Sequence, residues 1–79
     1  MKAIVYIRLK NEVLDPQGLA IENSLINLGH KNITNVRQGK LIEMDIDVLS
    51  EADAKKIIDN ISKNLLANTV IEDFSIEIK

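Results

Sequence analysis

The side chains that could do chemistry are few in this chain, and they stand apart from one another. There is no cysteine, which excludes disulfides and thiolate metal sites. The single histidine, His30, directly follows Gly29, so we interpret it as a solvated loop residue and not as part of a nucleophilic triad. Gly18, Gly29 and Gly39 are scattered, whereas a phosphate-binding loop needs clustered glycines. These patterns predict no catalytic and no metal-binding residue.

Two groups of charged residues remain as candidates for binding. Glu43, Asp45 and Asp47 could together hold Mg²⁺, but they also alternate with apolar residues as the wet face of a strand does. We favour the second interpretation, in which these carboxylates are the solvent-exposed face of a strand. Arg37 and Lys40 lie close before Glu43, and such charges could grip a phosphate or a partner carboxylate, or could simply be solvated.

The elements that position these residues begin with a strand and a helix. Ala3 to Leu9 is rich in β-branched residues and predicts a buried, central strand. Asp15 is a good N-cap and Pro16 suits the first helical position, so a helix is expected to begin there. The helix is expected to end at Gly29, where a left-handed residue is typical.

The middle of the chain predicts a β-hairpin. Ile33 to Gln38 is interpreted as a second strand, followed by a tight turn at Gly39 and Lys40. Residues 42–48 then alternate strictly between apolar and acidic, which predicts a third strand with one buried and one wet face.

The last third predicts a second helix and a fourth strand. Ser50 is expected to cap the helix, Asn68 to end it, and the alternation over residues 73–78 to form the strand. The apolar stripe of the helix consists of Ala54, Ile57, Ile58, Ile61 and Leu65.

The order βαββαβ predicts an α+β fold of the ferredoxin-like, split β-α-β type. In that fold, two helices cover one face of a four-stranded antiparallel sheet. No linker or second domain is indicated, so residues 1–79 are expected to form a single domain. The first strand is apolar on its outer side as well, which predicts self-association as a dimer or tetramer through a sheet face or edge.

Composition excludes several partner classes. The net charge is −2 and the charges are interspersed, so the basic stripe of a nucleic-acid-binding protein is missing. Tyr6 and Phe74 are the only aromatic residues, too few for an RNA-stacking platform. No apolar run approaches the roughly 20 residues that cross a membrane. We therefore expect a cytoplasmic protein with no nucleic-acid or membrane partner.

Four blocks of sequence carry a resemblance to a known family. They are Val13–Gly18, Leu28–Gly29, Val36–Lys40 with Glu43, and Leu65–Phe74. Together they resemble PurS, the small subunit of phosphoribosylformylglycinamidine (FGAM) synthase, over essentially the whole chain. Thr69 stands where that family often has proline and Phe74 where it often has tyrosine, and the missing proline could loosen that turn.

The resemblance implies a non-catalytic subunit in purine biosynthesis. The family's complex makes formylglycinamidine ribonucleotide from formylglycinamide ribonucleotide, glutamine and ATP. The implied partners are the large synthetase subunit (PurL), which uses ATP and Mg²⁺, and the glutaminase subunit (PurQ), which releases ammonia. This chain is expected to bind no cofactor itself and to hold the two active sites together, so that ammonia is not lost between them.

The motif residues are then expected to form partner surfaces at three places. These are the helix start with Asp15 and Gln17, the hairpin with Arg37, Gly39, Lys40 and Glu43, and the entry to the last strand with Asn68, Glu72 and Asp73. Arg37 and Lys40 are the stronger candidates, because no local backbone geometry demands their residue types.

One alternative interpretation remains open, and a third lacks the motif that it requires. An ACT-type ligand-binding regulatory module has the same order of elements, and residues 15–18 faintly resemble its amino-acid-binding loop. An acylphosphatase-like enzyme would need a glycine-rich anion loop with an arginine after the first strand, and residues 10–17 contain neither residue type.

Overall fold

The computed structural model describes all residues, 1–79, and contains three strands and two α-helices. In chain order they are β1 (Lys2–Leu9), α1 (Pro16–Asn27), β2 (Gly39–Asp45), α2 (Glu51–Ile61), which continues as a π-helical turn over Ser62–Leu66, and β3 (Glu72–Ile78).

The sheet has the order β2-β1-β3, and both pairings are antiparallel. The predicted central position of β1 is thereby confirmed. Ile7 lies opposite Lys40 on one side and Phe74 on the other, so these three side chains share a face. Leu9 lies opposite Glu72, two residues further along β1, so these two side chains are on the same face near the end of the strand.

The predicted four-stranded, ferredoxin-like sheet is wrong. Ile33–Gln38 forms no strand, and Gly39 and Lys40 begin β2 instead of forming a turn. The physical reason lies in where the backbone donors go: Val36 N–H donates to Glu22 Oε1 and Gln38 N–H to Asp15 Oδ2, and not to a neighbouring strand. Asn35, with a φ of 57°, also interrupts an extended conformation.

The core lies between one face of β1 and α2. Ala3, Val5 and Ile7 are fully buried there and form a cluster with Ile58 and Ala67. α2 is the helix that packs on the sheet, mainly against β3. It begins as predicted, because the hydroxyl of Ser50 accepts the N–H of Asp53 at 3.1 Å.

The end of α2 differs from the prediction. Ala67 N–H donates to Ser62 O at 2.9 Å, an i→i+5 bond that inserts one residue into the helical turn. Ser62 continues the buried row of Ala54 and Ile58, whereas Leu65, predicted in the apolar stripe, lies within the π-helical turn and is 78% exposed. Asn68 therefore does not cap the α-helix; its side-chain oxygen accepts Val70 N–H in the turn that follows.

α1 begins and ends where the sequence predicts. Asp15 caps it, and Gly29, with a φ of 96°, closes it. His30 N–H donates to Leu25 O and Gly29 N–H to Ile26 O, which is the bond pattern of a Schellman C-cap.

α1 nevertheless does not cover the sheet. Gly18 is its only buried residue, and the chain then returns along the helix over residues 30–38. We call α1 together with residues 30–38 the arm. The molecule measures 50 × 25 × 14 Å. The arm leaves five large apolar side chains exposed, at Leu19, Ile21, Ile26, Leu28 and Ile33.

Candidate partner-binding site

Five of the nine predicted site residues line one open cleft of about 300 Å³. The cleft lies where the first turn of α1 meets the start of β2, the end of β1 and the start of β3. The five are Asp15, Gln17, Gly39, Lys40 and Glu72. Sequence reasoning missed the other lining residues, Ile7, Leu9, Pro16 and Gln38. Gln38 could have been found, because it lies inside a block that carries the family resemblance.

Asp15 forms the wall of the cleft nearest the arm. Its Oδ1 accepts Gly18 N–H at 2.9 Å and its Oδ2 accepts Gln38 N–H at 2.7 Å, while the residue is only 6% exposed. These backbone donors, with the Arg37 guanidinium 3.9 Å away, hold the pKa of Asp15 below its usual range. The carboxylate therefore stays ionised, and its oxygens already have internal partners.

Arg37 lies behind Asp15 and points back towards the loop after β1. Its Nη2 donates to the carbonyl oxygens of Lys10 at 3.0 Å and Val13 at 3.1 Å, with Leu9 O at 3.4 Å. The guanidinium of Arg37 therefore holds the loop between β1 and α1. The sequence could not reveal this use, because the acceptors lie 24 or more residues earlier in the chain.

Lys40 and Glu72 face each other across the end of β1. Lys40 Nζ lies 3.3 Å from Glu72 Oε2, and its side chain is 60% exposed, whereas that of Glu72 is nearly covered. Glu72 Oε1 accepts Asn68 N–H at 2.7 Å. This backbone bond and the ammonium of Lys40 lower the pKa of Glu72. Lys40 is therefore the exposed charge of the cleft.

Gln17, which lines the cleft, accepts a hydrogen bond from the side chain of Gln38. The other predicted residues lie outside the lining. Glu43 is on the opposite sheet face, paired with Lys2 at 3.4 Å. Asp73 lines a smaller neighbouring cavity together with Arg37. The structure thus brings the helix start and two strand starts together but leaves Glu43 apart.

The cleft is suited to binding, and its lining contains no serine, threonine, cysteine, tyrosine or histidine. Its floor is apolar, from Ile7 and Leu9, and its rim carries amide and charged groups. No three histidine, aspartate or glutamate side chains in the structure meet as a metal site requires. None of the helices combines the length and apolarity that a bilayer span needs.

Comparison with known proteins decides the family. The family model PurS, described as phosphoribosylformylglycinamidine (FGAM) synthase, matches residues 2–79. The chain belongs to the PurS family. The PurS subunit of FGAM synthase from Mycobacterium leprae is 48% identical over 75 residues, which cover 95% of this chain and 91% of that protein.

Solved PurS structures have the same fold. A crystal structure of PurS from Methanocaldococcus jannaschii, a subunit of formylglycinamide ribonucleotide amidotransferase in the purine biosynthetic pathway, superposes with a TM-score of 0.90. It is 37% identical, over 99% of this chain and 94% of that one. A chain in the PurLQS structure from Thermotoga maritima superposes with a TM-score of 0.88 at 25% identity, over 96% and 93% of the two chains.

These comparisons confirm the function that the sequence resemblance implied. The chain is a subunit of FGAM synthase, an enzyme of purine biosynthesis. The family assignment replaces the ACT-type and acylphosphatase-like interpretations, and it directs attention to surfaces that other subunits could contact.

Proposed function

We propose that this chain is the assembly subunit of FGAM synthase, which holds the large synthetase subunit PurL and the glutaminase subunit PurQ together. The complex uses ATP, Mg²⁺ and glutamine, and this chain contributes no catalytic side chain. Its role is to keep the two active sites close, because ammonia released into water is protonated or lost before it can react. Residues 1–79 act in this as one PurS-like unit, in the cytoplasm.

The exposed apolar arm is the observation that supports self-association of the assembly subunit. Complete burial of a leucine or isoleucine side chain contributes about 1.5–3 kcal/mol. An arm with five such side chains exposed can therefore offset several kcal/mol of the cost of association once it is covered. We propose that a second copy of the chain covers it, and that the protein is a dimer or tetramer.

The second surface is the cleft, and it faces the other subunits. Asp15, Gln17, Gly39, Lys40 and Glu72 line it, and Arg37, Asn68, Asp73 and the more distant Glu43 extend the proposed contact. Lys40 is its best single probe: it is mostly exposed, and its one internal contact is Glu72. A partner carboxylate could replace or share that contact.

Self-association is tested by sedimentation at micromolar concentration. Leu28→Lys puts a charge on the exposed face of the arm at the C-terminus of α1, where the helix dipole tolerates a cation. We expect it to yield monomers, whereas Leu49→Lys, at a fully exposed leucine outside the arm, leaves the oligomer intact. A native chain that sediments as a monomer would contradict the proposed oligomer.

Complex assembly is tested by size-exclusion chromatography with PurL, PurQ, glutamine and Mg-ADP. Co-elution of the three subunits, lost when this chain is omitted, is the expected result. Lys40→Gln should weaken assembly and glutamine-dependent activity, whereas Lys55→Gln, at an exposed position on α2 with no ion pair, should not. Equal behaviour of the two variants would remove Lys40 from the proposed interface.

A further inference from the structure

The arm is joined to the rest of the molecule through one buried carboxylate. Asp15 Oδ1 accepts the N–H of Gly18 in the first turn of α1, and Oδ2 accepts the N–H of Gln38, where the return segment enters β2. The two ends of the arm are therefore held by the two oxygens of a single side chain. We call Asp15 together with Arg37 the arm base.

Arg37 connects Asp15 to the end of β1. The guanidinium approaches Asp15 Oδ2 through Nε and donates through Nη2 to the backbone of residues 9–13. Its own backbone lies in the return segment, one residue before Gln38. One side chain thus links the departing chain, the returning chain and the buried carboxylate.

Little else holds α1 against the sheet. The helix that packs on the strands is α2, and α1 buries only Gly18, where a Cβ would lie nearest to Val36 in the return segment and to Asp15. An element that protrudes without a packed face keeps its direction only through the bonds at its attachment.

We propose that Asp15 and Arg37 are positioning residues that fix the direction of the arm relative to the sheet. They thereby set the placement of the exposed apolar face of α1 relative to the cleft beside Lys40. The effect of this placement on assembly rests on the proposed function, in which both surfaces contact partners. The fixed direction itself is a property of this chain.

Asp15→Asn separates this role from helix capping. Asparagine caps helices about as well as aspartate, so α1 should still form. Its amide has only one oxygen, however, so only one of the two backbone N–H groups keeps an acceptor. The other N–H would face the amide nitrogen, which is itself a donor. One end of the arm is then released. Asp15→Ser is a second variant, because a hydroxyl can still accept Gly18 N–H but cannot bridge to Gln38.

The direction of the arm can be measured by pulsed electron resonance between two spin labels. The chain has no cysteine, so Ser24→Cys on α1 and Ser75→Cys on the outer face of β3 give the only labelling sites. Excess unlabelled chain removes distances between copies. We expect a narrow distance distribution with native Asp15, and one at least twofold broader in Asp15→Asn and Asp15→Ser, with far-UV circular dichroism unchanged.

The matched control is Asp47→Asn, which removes an exposed carboxylate that has no hydrogen bond or ion pair in the structure. It should leave the distribution narrow. An unchanged width in the folded Asp15 variants would overturn the proposal, and so would loss of all structure in both, because the carboxylate would then hold the whole fold and not the arm. A broad distribution with normal complex assembly would instead show that assembly does not depend on the direction of the arm, and would leave the positioning role standing.

Discussion

Ile57 and Ile58 are adjacent isoleucines that the sequence places in the same apolar stripe, yet the structure separates them. Ile58 is 1% exposed and packs in the core cluster with Val5 and Ile7, whereas Ile57 is 44% exposed. Truncation of each to alanine removes the same atoms from neighbouring positions of one helix. The pair therefore tests whether α2 presents the face to the sheet that the structure shows.

The expected magnitudes follow from burial. Isoleucine-to-alanine changes in a core cost about 2–5 kcal/mol, and the strand backbone beneath Ile58 cannot collapse into the space, so we expect about 3–4 kcal/mol. Ile57 is only partly buried, so Ile57→Ala removes less buried apolar surface and leaves a surface open to solvent instead of a cavity. Alanine also favours the helix by up to about 0.7 kcal/mol, so the net loss there should be below about 1 kcal/mol. A chain of 79 residues has a total stability of only about 4–12 kcal/mol.

Urea unfolding followed by circular dichroism measures both variants. The chain concentration must be the same throughout, because self-association would add to the apparent stability. We expect the urea midpoint of Ile58→Ala to fall steeply and that of Ile57→Ala to stay near the native value. Losses equal within about 0.5 kcal/mol, or in the reverse order, would refute the assigned face of α2.

Three further predictions concern single groups. Gly18→Ala should destabilise the fold by about 1–2 kcal/mol despite the better helix propensity of alanine, because the new Cβ would overlap the Val36 carbonyl oxygen and lie 2.7 Å from Asp15 Oδ2. Urea unfolding gives the sign of the change in stability, with Asn23→Ala as a control at an exposed position of the same helix. Ser62→Ala should be neutral or stabilising by about 1 kcal/mol in the same assay, because the buried hydroxyl has no hydrogen-bond partner. Native hydrogen bonds lower the pKa of Asp15 below 3.8 and that of Glu72 below 4.5, so their contribution to stability is present above those values and lost as the pH falls through the lower native pKa values. The urea midpoint should therefore fall on acidification below about pH 5, and fall less in Asp15→Asn with Glu72→Gln.

Local chemistry explains which elements could be predicted from the sequence. The starts of both helices follow from Asp15 and Ser50, and the end of α1 from Gly29, because caps act within a few residues of the chain. The strand predicted at 33–38 failed because a strand exists only with a partner. Its apolar pattern is real, but its backbone donors are taken by side chains of α1 and its N-cap.

The candidate site was predictable in part for the same reason. Asp15, Lys40 and Glu72 lie at the ends of predicted elements, and the resemblance to the family named all three. Their convergence depends on the register of β1 with its two neighbours, which no local pattern encodes. The role of Arg37 depends on carbonyl groups far back in the chain and was equally invisible.

The internal contacts of the site also decide which substitutions can identify an interface. Asp15 and Arg37 form the arm base, so their removal would disturb the arm and the cleft together and would reduce assembly whether or not a partner touches them. Lys40 and Leu28 lie outside that base, one in the cleft and the other on the arm. If the two surfaces bind different partners, Lys40→Gln should weaken binding of PurL or PurQ to an intact oligomer. Leu28→Lys should dissociate the oligomer first, and a complex that still assembles from Leu28→Lys monomers would show that the arm is not needed to bring the catalytic subunits together.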